Sequence, residues 1–331
     1  MKKVHLLIGG AGFIGNSLIK SLLEAGFLVR CVDDDTSENF DFTVKRFSEF
    51  KNAKFLKGDI NAEESLNWVI SETKDCEVTI WHLAANSDIQ SGSLSPNLDA
   101  QKTFMTSVSV CKLMDLVNVT NVNFASTSAV YGELIDEECF FENSITKPIS
   151  FYGVAKLSSE RFLEIKANSK QIPLLIFRFA NIVGAPATHG VLFDFITRLK
   201  ESPQILKVLG DGNQTKSYLH VESLVKMMLS LLTENHIGTF NLGPGDSGIS
   251  VREIAENLVS HVAFPIEIEF GTSKRGWEGD AVRVLMSTNK YEQTISKAPL
   301  SSAESIHAAI HEISGQLNLA IVCPESVLQS G

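Results

Sequence analysis

The chain has 331 residues, 44% of them apolar, a formal net charge of −10 at pH 7 and an isoelectric point near 5.3. That length holds one large domain or two smaller ones with a full core, while the acidic balance and short, scattered basic clusters exclude a polyanion such as nucleic acid as partner. No apolar stretch approaches the ~20 residues that span a bilayer, and Cys31, Cys76, Cys111, Cys139 and Cys323 lie far apart without a CxxC pair, so reduced thiols, no metal and a soluble cytoplasmic protein are expected.

In chain order, KVHLLI is an apolar run that GGAGFIG breaks, and NSLIKSLLEAG then carries apolar residues at helical spacing to a glycine stop. That predicts strand, turn and helix. MKKVHLLIGG starts like a leader, but its apolar run ends in glycines too soon, so it is read as the first strand. FLVRCVDDD, NAKFLKGDI and VTIWHLAA are further apolar runs with helical patterns between several of them. Strands apolar on both faces, alternating with helices, predict a parallel sheet covered on both sides. VNFASTSAVYG reads as a strand leading into a polar turn, ISFYGVAKLSSERF opens a helix through about Lys166, and IPLLIFRFANIVG reads as one buried strand. Between Ala185 and Tyr218 the pattern loosens to loops and one helix, LFDFITRLK. GTFNLGP adds a sheet strand, SVREIAENLVSHV opens with a capping box of Ser250 and Glu253, and the last third, with IEIEFG, reads as part of a smaller unit assembled from several segments.

Two patterns carry chemistry. Gly9, Gly12 and Gly15 sit between the first strand and first helix, where the backbone must turn tightly and let a diphosphate approach the helix N-terminus. Asp33, ending the next strand, falls near the ~20-residue offset of an acid that accepts both ribose hydroxyls of an adenosine; it would repel a 2′-phosphate, which favours NAD over NADP. Asp59 in GDI is placed against the adenine, and HLAA (82–85) ends the fourth strand in small residues that suit close passage of a cofactor. Tyr152 and Lys156, four apart, share one helix face. A lysine ammonium beside a phenol lowers the phenol pKa, so the tyrosine can serve as general base toward an alcohol. Thr127, at the end of the preceding strand, is placed to hydrogen-bond the same alcohol.

With GGAGFIG, VDDD, GDI, HLAA, STSAVYG, YGVAK, RFANIVG, GDGNQTKSYLHVESLV and RGWEGD in this order over residues 1 to 290, the chain resembles the extended short-chain dehydrogenase/reductase family, and more closely its nucleotide-sugar epimerase/dehydratase branch. The resemblance implies a Rossmann-type doubly wound α/β sheet over 1–183, with 218–243 returning to it, and a smaller α/β substrate domain from 184–217 and 244–331. It makes Tyr152 the catalytic base and acid, Lys156 its pKa partner and nicotinamide-ribose ligand, and Thr127 the hydroxyl-binding residue. NAD would be held by Gly9, Gly12, Phe13, Ile14 and Gly15, by Asp33, Asp59 and Ile60, by Leu83, Ala84 and Ala85, and by Phe179. The sugar nucleotide would meet Ser87, Ser128, Asn181, Val191, Lys216, Tyr218 and Arg275.

Dehydratases of the branch put an Asp-Glu pair directly after the catalytic threonine, and a decarboxylating group keeps the glutamate; here those places hold Ser128 and Ala129. Their absence favours simple epimerisation at C4 of a UDP-hexose or derivative. A dehydratase, decarboxylase or ketoreductase with its acid supplied from a loop is the alternative enzyme, and a non-catalytic NAD-binding protein the alternative class. Departures from the family pattern are Lys216 for an arginine, Ser217 for an acid and Thr103 for an asparagine. Asp88 is read either as a substrate ligand or second acid/base or as a loop acid, and His189 as a substrate neighbour or plain surface. Trp277 is assigned to packing. A homodimer is expected through the helix after Asp99 and the helix bearing Tyr152.

Overall fold

Strand β1 (Lys2–Ile8) is buried at five successive positions, Val4 to Ile8, in a computed structural model that describes residues 1–36, 38–135, 138–274, 281–295 and 298–321. α1 (Phe13–Glu24), β2 (Leu28–Asp33), α2 (Phe40–Arg46), β3 (Ala53–Lys57), α3 (Glu63–Glu72) and β4 (Cys76–His82) follow. Next come α4 (Ile89–Leu94), α5 (Pro96–Asp99), one π-helical stretch (Ala100–Phe104), α6 (Met105–Leu116), β5 (Val119–Thr127), α7 (Phe151–Lys170), β6 (Leu174–Phe179) and β7 (Asn181–Val183). The remainder comprises α8 (Val191–Glu201), β8 (Ile205–Val208), β9 (Thr215–Lys216), β10 (Tyr218–His220), α9 (Val221–Thr233), β11 (Gly238–Leu242) and β12 (Ile249–Ser250). It ends with α10 (Val251–Ser260), β13 (Glu267–Phe270), β14 (Arg283–Val284), α11 (Asn289–Ile295) and α12 (Ser302–Leu317).

Seven strands form one parallel sheet in the order β11-β6-β5-β4-β1-β2-β3. Because side chains alternate along a strand, Leu7 joins α1 and α9 on one face, packed with Leu18, Leu22, Leu224 and Met228. Val4, Leu6 and Ile8 point to the other face, toward Val69 of α3, Val110 and Leu113 of α6 and Leu163 of α7. Each such fully buried leucine or valine contributes about 1.5–3 kcal/mol, which is why both faces of β1 must be apolar. The result is a Rossmann-type doubly wound sheet. A further core joins α8, α10 and α12 with β8 through Phe195, Leu206, Ile254, Ile306 and Ile310.

Three expectations change. IPLLIFRFANIVG is two strands: Phe179 is the last residue of β6 in the sheet, and from Asn181 the chain pairs with β10 instead. Ala180 donates its N–H to Leu242 O while Asn181 donates to Ser217 O, so the switch of partner falls at Ala180. The 185–218 stretch also contains the short strands β8 and β9 beside α8. Helix α7 runs four residues beyond Lys166, because Ala167 is buried and the stop is Gln171 in the left-handed region at φ 54°. The capping box of Ser250 and Glu253 is present at α10. Among the described residues no helix is long and apolar enough to cross a membrane.

Candidate active site

A crevice of about 930 Å³ crosses the C-terminal ends of the central strands, lined from β1 by Ile8, from β2 by Asp33, from β5 by Thr127 and from β6 by Phe179. The turn from β1 into α1 forms one wall. Gly9 has φ +79°, and a Cβ there would lie 2.5 Å from the Ala84 backbone, so the close approach of the two strand ends needs glycine. Gly12 differs, since a Cβ on it would meet only Gly9 O at 3.7 Å, ordinary contact. Protein packing does not demand glycine there; the crevice does, because Gly12 lines it and forms the N-cap of α1 with no side-chain hydrogen bond. First-turn N–H groups without a side-chain acceptor, beside open space, are a site for a phosphate.

Opposite the turn, Asp33 is 7% exposed; its Oδ2 accepts the Ala11 N–H at 2.8 Å and its Oδ1 the Asp35 N–H at 2.8 Å. Burial raises its carboxyl pKa, and those two backbone donors work against the rise. The other two acids of VDDD are paired, Asp34 with Lys102 and Asp35 with Lys57, each at 2.5 Å.

Tyr152 stands in the first turn of α7, which starts where Ser150 Oγ accepts the Gly153 N–H at 3.1 Å. Gly153 lets this turn sit against the 3-10 turn that follows β5: a Cβ would be 2.6 Å from Ala129 O. One turn on, Lys156 is 2% exposed; its Nζ donates to Ala125 O at 2.6 Å and lies 4.9 Å from the Phe124 ring centre and 5.9 Å from that of Tyr152. Thr127 hydrogen-bonds Tyr152 and accepts the Ala129 N–H at 3.2 Å. The expected lowering of the phenol does not hold for these side chains by themselves. Burial pushes Tyr152 above its ordinary pKa, the Asp99 charge adds to that, and only the Thr127 hydrogen bond opposes it. Burial also brings Lys156 down to about 7 against the pull of Glu160, so its charge is only partly present at neutral pH.

Several residues at the site escaped the sequence reading. Glu160, four after Lys156 on the same helix face, is fully buried and pairs with Arg178 of β6 at 2.6 Å. Arg178 also donates to Tyr131 Oη at 3.0 Å, and Tyr131 donates to Asn241 Oδ1 at 2.7 Å. The i+4 spacing from Lys156 was the available signal for Glu160. Asp99 is 1% exposed; Asn86 Nδ2 donates to its Oδ1 at 3.0 Å, and its Oδ2 has no partner among the described residues. Nothing in PNLD marks it, because only the fold brings it toward Tyr152.

The crevice gathers the expected cofactor residues: Gly9, Gly12, Phe13, Ile14 and Gly15 from the turn and first helix, Asp33 at the end of β2, and Asp59 and Ile60 after β3. Leu83, Ala84 and Ala85 line it after β4, as do Phe179, Tyr152 and Lys156. Of the expected substrate residues, Ser87, Asn181, Val191, Lys216 and Tyr218 line it. Ser128 is not among the residues that line the crevice; the chain enters a tight 3-10 turn at Ser128–Val130, capped by Thr127. Asp88 lines the crevice, yet its carboxylate caps α4, accepting the N–H and hydroxyl of Ser91. His189 also lines it and meets Thr188 Oγ1 at 3.0 Å. Thr103 is fully buried and accepts the Asn86 N–H at 3.0 Å, a structural contact. Arg275 and Trp277 lie outside the described residues.

Residues 5–243 match the NAD dependent epimerase/dehydratase family. The chain is 28% identical over 313 residues to the UDP-glucose 4-epimerase of Corynebacterium glutamicum, covering 89% of this chain and 90% of that one. It is similar to a crystal structure of UDP-galactose 4-epimerase, with a TM-score of 0.82 at 27% identity, over 95% of this chain and 99% of that one. It is also similar to Thermotoga maritima UDP-glucose 4-epimerase solved with UDP-glucose, with a TM-score of 0.80 at 25% identity and the same coverage of 95% and 99%. That family match spans the glycine turn and the Tyr152–Lys156 pair, and the chain belongs to the NAD dependent epimerase/dehydratase family.

Proposed function

We propose that the protein is an NAD-dependent 4-epimerase of a UDP-hexose or a close derivative. The observation that carries this reading is that Thr127, Tyr152 and Lys156 meet at the crevice that the uncapped glycine turn opens, with Ser128 and Ala129 where a dehydratase would carry its acids. The space at Gly12, the free first-turn amides of α1 and the buried Asp33 carboxylate fit a dinucleotide with an unsubstituted ribose. When bound there, NAD supplies a two-electron acceptor that takes hydride from the sugar and returns it.

Tyr152 removes the proton of the sugar hydroxyl at its phenol oxygen, and Thr127 shares that hydrogen bond and fixes the angle of approach. Lys156 holds its Nζ in the protein interior between Ala125 O and the Tyr152 ring, so proton affinity at Tyr152 depends on whether Lys156 is protonated. Tyr152 then returns the proton to the ketone oxygen, on either face of the sugar, and no second acid/base group is used. Asp88 supports this economy, since its carboxylate is engaged as a helix cap. Ser87, Asn181, Val191, Lys216 and Tyr218 are the chain's side chains for the sugar nucleotide, and Ser128 and Arg275 keep that assignment from the sequence. In the same reading, 184–217 and 244–331 form the substrate domain, and 1–183 with 218–243 the NAD domain.

A homodimer through α6 and α7 goes with this reading, supported by Leu116, Phe162 and Ile165, exposed on those helices. A cytoplasmic location fits the four described cysteines, all free thiols. Incubating the purified protein with UDP-glucose, UDP-glucuronate and other UDP-, GDP-, CDP- and dTDP-sugars, without added reductant, and following anomeric protons by NMR and mass by spectrometry tests the function. An isomer of unchanged mass inverted at C4 is expected; loss of water or carbon dioxide, or no turnover of any sugar, would overturn it.

A further inference from the structure

Away from the crevice, three histidines from two elements converge. His261 is the residue that ends α10, and His307 and His311 are one turn apart on α12, the i,i+4 spacing that stacks two side chains on one helix face. Their ring centres lie 5.0, 5.3 and 5.0 Å apart, and one ligating nitrogen from each falls within 4.8 Å of the other two.

Ring packing alone does not account for the orientation of His261. It is 4% exposed, and its Nδ1 lies 2.7 Å from Asn257 O. A carbonyl only accepts, so Nδ1 carries the proton, and Nε2 is left with its lone pair. That Nε2 is buried with no hydrogen-bond partner among the described residues. A histidine whose one nitrogen donates to a backbone carbonyl while the other is bare is the form a metal ion takes, because the carbonyl fixes both tautomer and ring plane. An unsatisfied buried acceptor costs stability unless something fills it.

We propose that His261, His307 and His311 form a binding site for a borderline divalent transition cation such as Zn²⁺, which clamps α10 to α12. Three imidazoles and a water complete a tetrahedral shell. Zn–N bonds of about 2.0–2.1 Å set nitrogens roughly 3.3 Å apart, which rotation of the exposed His307 and half-buried His311 side chains supplies. Imidazole donors without a carboxylate in the cluster select Zn²⁺, Co²⁺, Ni²⁺ or Cu²⁺ over Mg²⁺ or Ca²⁺. The site is independent of the crevice chemistry: α12 backs the substrate side through Ser302 and Ser305, which accept the N–H groups of Tyr218 and His220, so the clamp acts on the stability of that layer rather than on the proton transfer.

The test is titration of metal-stripped full-length protein with CoCl₂ and ZnCl₂ at pH 7.5, read by the visible absorption of Co²⁺, by calorimetry and by thermal melting. One equivalent is expected, with the Co²⁺ spectrum of nitrogen and oxygen ligands and no thiolate charge-transfer band. Affinity is expected to fall at least ~10-fold in both His307→Ala and His311→Ala, and the rise of Tm with ZnCl₂ to vanish in the double variant. His307 is exposed, so its replacement leaves the metal-free melt in place as a fold control. Binding unchanged in both variants, a thiolate band, or no saturable binding up to 0.1 mM metal, about the weakest useful structural affinity, would overturn the proposal.

Discussion

At the scale of single residues, the site is a contest between burial and charge. Lys156 carries its amine in the interior at a pKa of about 7, below its ordinary 10.5. Between those two values the unfolded chain holds a proton that the folded one has released, so this residue's contribution makes stability rise with pH from about 7 to about 10.5 and stay level below 7, where both states are protonated. Replacing it by methionine removes the charge and keeps the length. Denaturant midpoints for Lys156→Met are expected to lack that upward slope between pH 7 and 10, and a parallel slope in both proteins would assign it elsewhere. Tyr152→Phe retains the aromatic packing and removes the proton carrier, and is expected to lower kcat by about 10²–10⁴ while bound NAD is retained; activity within a factor of a few would refute the role of the phenol. Both residues were read from YGVAK together with the hydroxyl cluster of ASTSAVYG before it, since the spacing alone is common. The direction of the phenol shift was not, because burial and the charge of Asp99 come from tertiary packing that a local motif does not contain.

At the scale of elements, two joints hold the site. The β1–α1 turn separates glycines by purpose: Gly9 is fixed by φ +79° and the Ala84 backbone, Gly12 only by the crevice. Gly9→Ala is therefore expected to destabilise the fold by more than about 1 kcal/mol, whereas Gly12→Ala leaves the melting curve within roughly 0.5 kcal/mol and weakens NAD binding. Equal melting losses in the two variants would contradict that division. The second joint is the buried Glu160–Arg178 pair between α7 and β6. Arg178→Met strands a buried carboxylate and is expected to cost about 3–5 kcal/mol in urea denaturation, with much of the loss recovered by adding Glu160→Leu; a double variant as unstable as the single one would show that the pair is not the cause. The sequence marked the glycine turn and the helix of Tyr152 because periodicity and caps are local. It ran β6 and β7 together, since an apolar run carries no sign of where the chain changes hydrogen-bonding partner, here at Ala180.

At the scale of the whole molecule, the parallel sheet covered on both faces follows from the alternation of apolar runs and helices and was readable before the fold was seen, whereas the strand order came only with the fold. What was not readable is which distant residues meet: Asp99 beside Tyr152, Asn241 at the end of the Arg178 network, and His261 against α12 are separated in sequence and joined only by packing. The dimer reading belongs to this scale too. Leu116→Glu with Ile165→Glu, both exposed positions, is expected to halve the mass in sedimentation without altering circular dichroism, and a wild-type protein that sediments as a monomer would remove the basis for it. The central claim is that the sugar carbon is inverted by removal and return of its own hydrogen, with Tyr152 moving only the hydroxyl proton. Turnover of the accepted UDP-hexose in D₂O, with the product read by proton NMR at C4, tests it most directly. An inverted product with full proton intensity at C4 is predicted; deuterium at that carbon would mean that a solvent-exchanging base forms a carbanion there, and would contradict the mechanism.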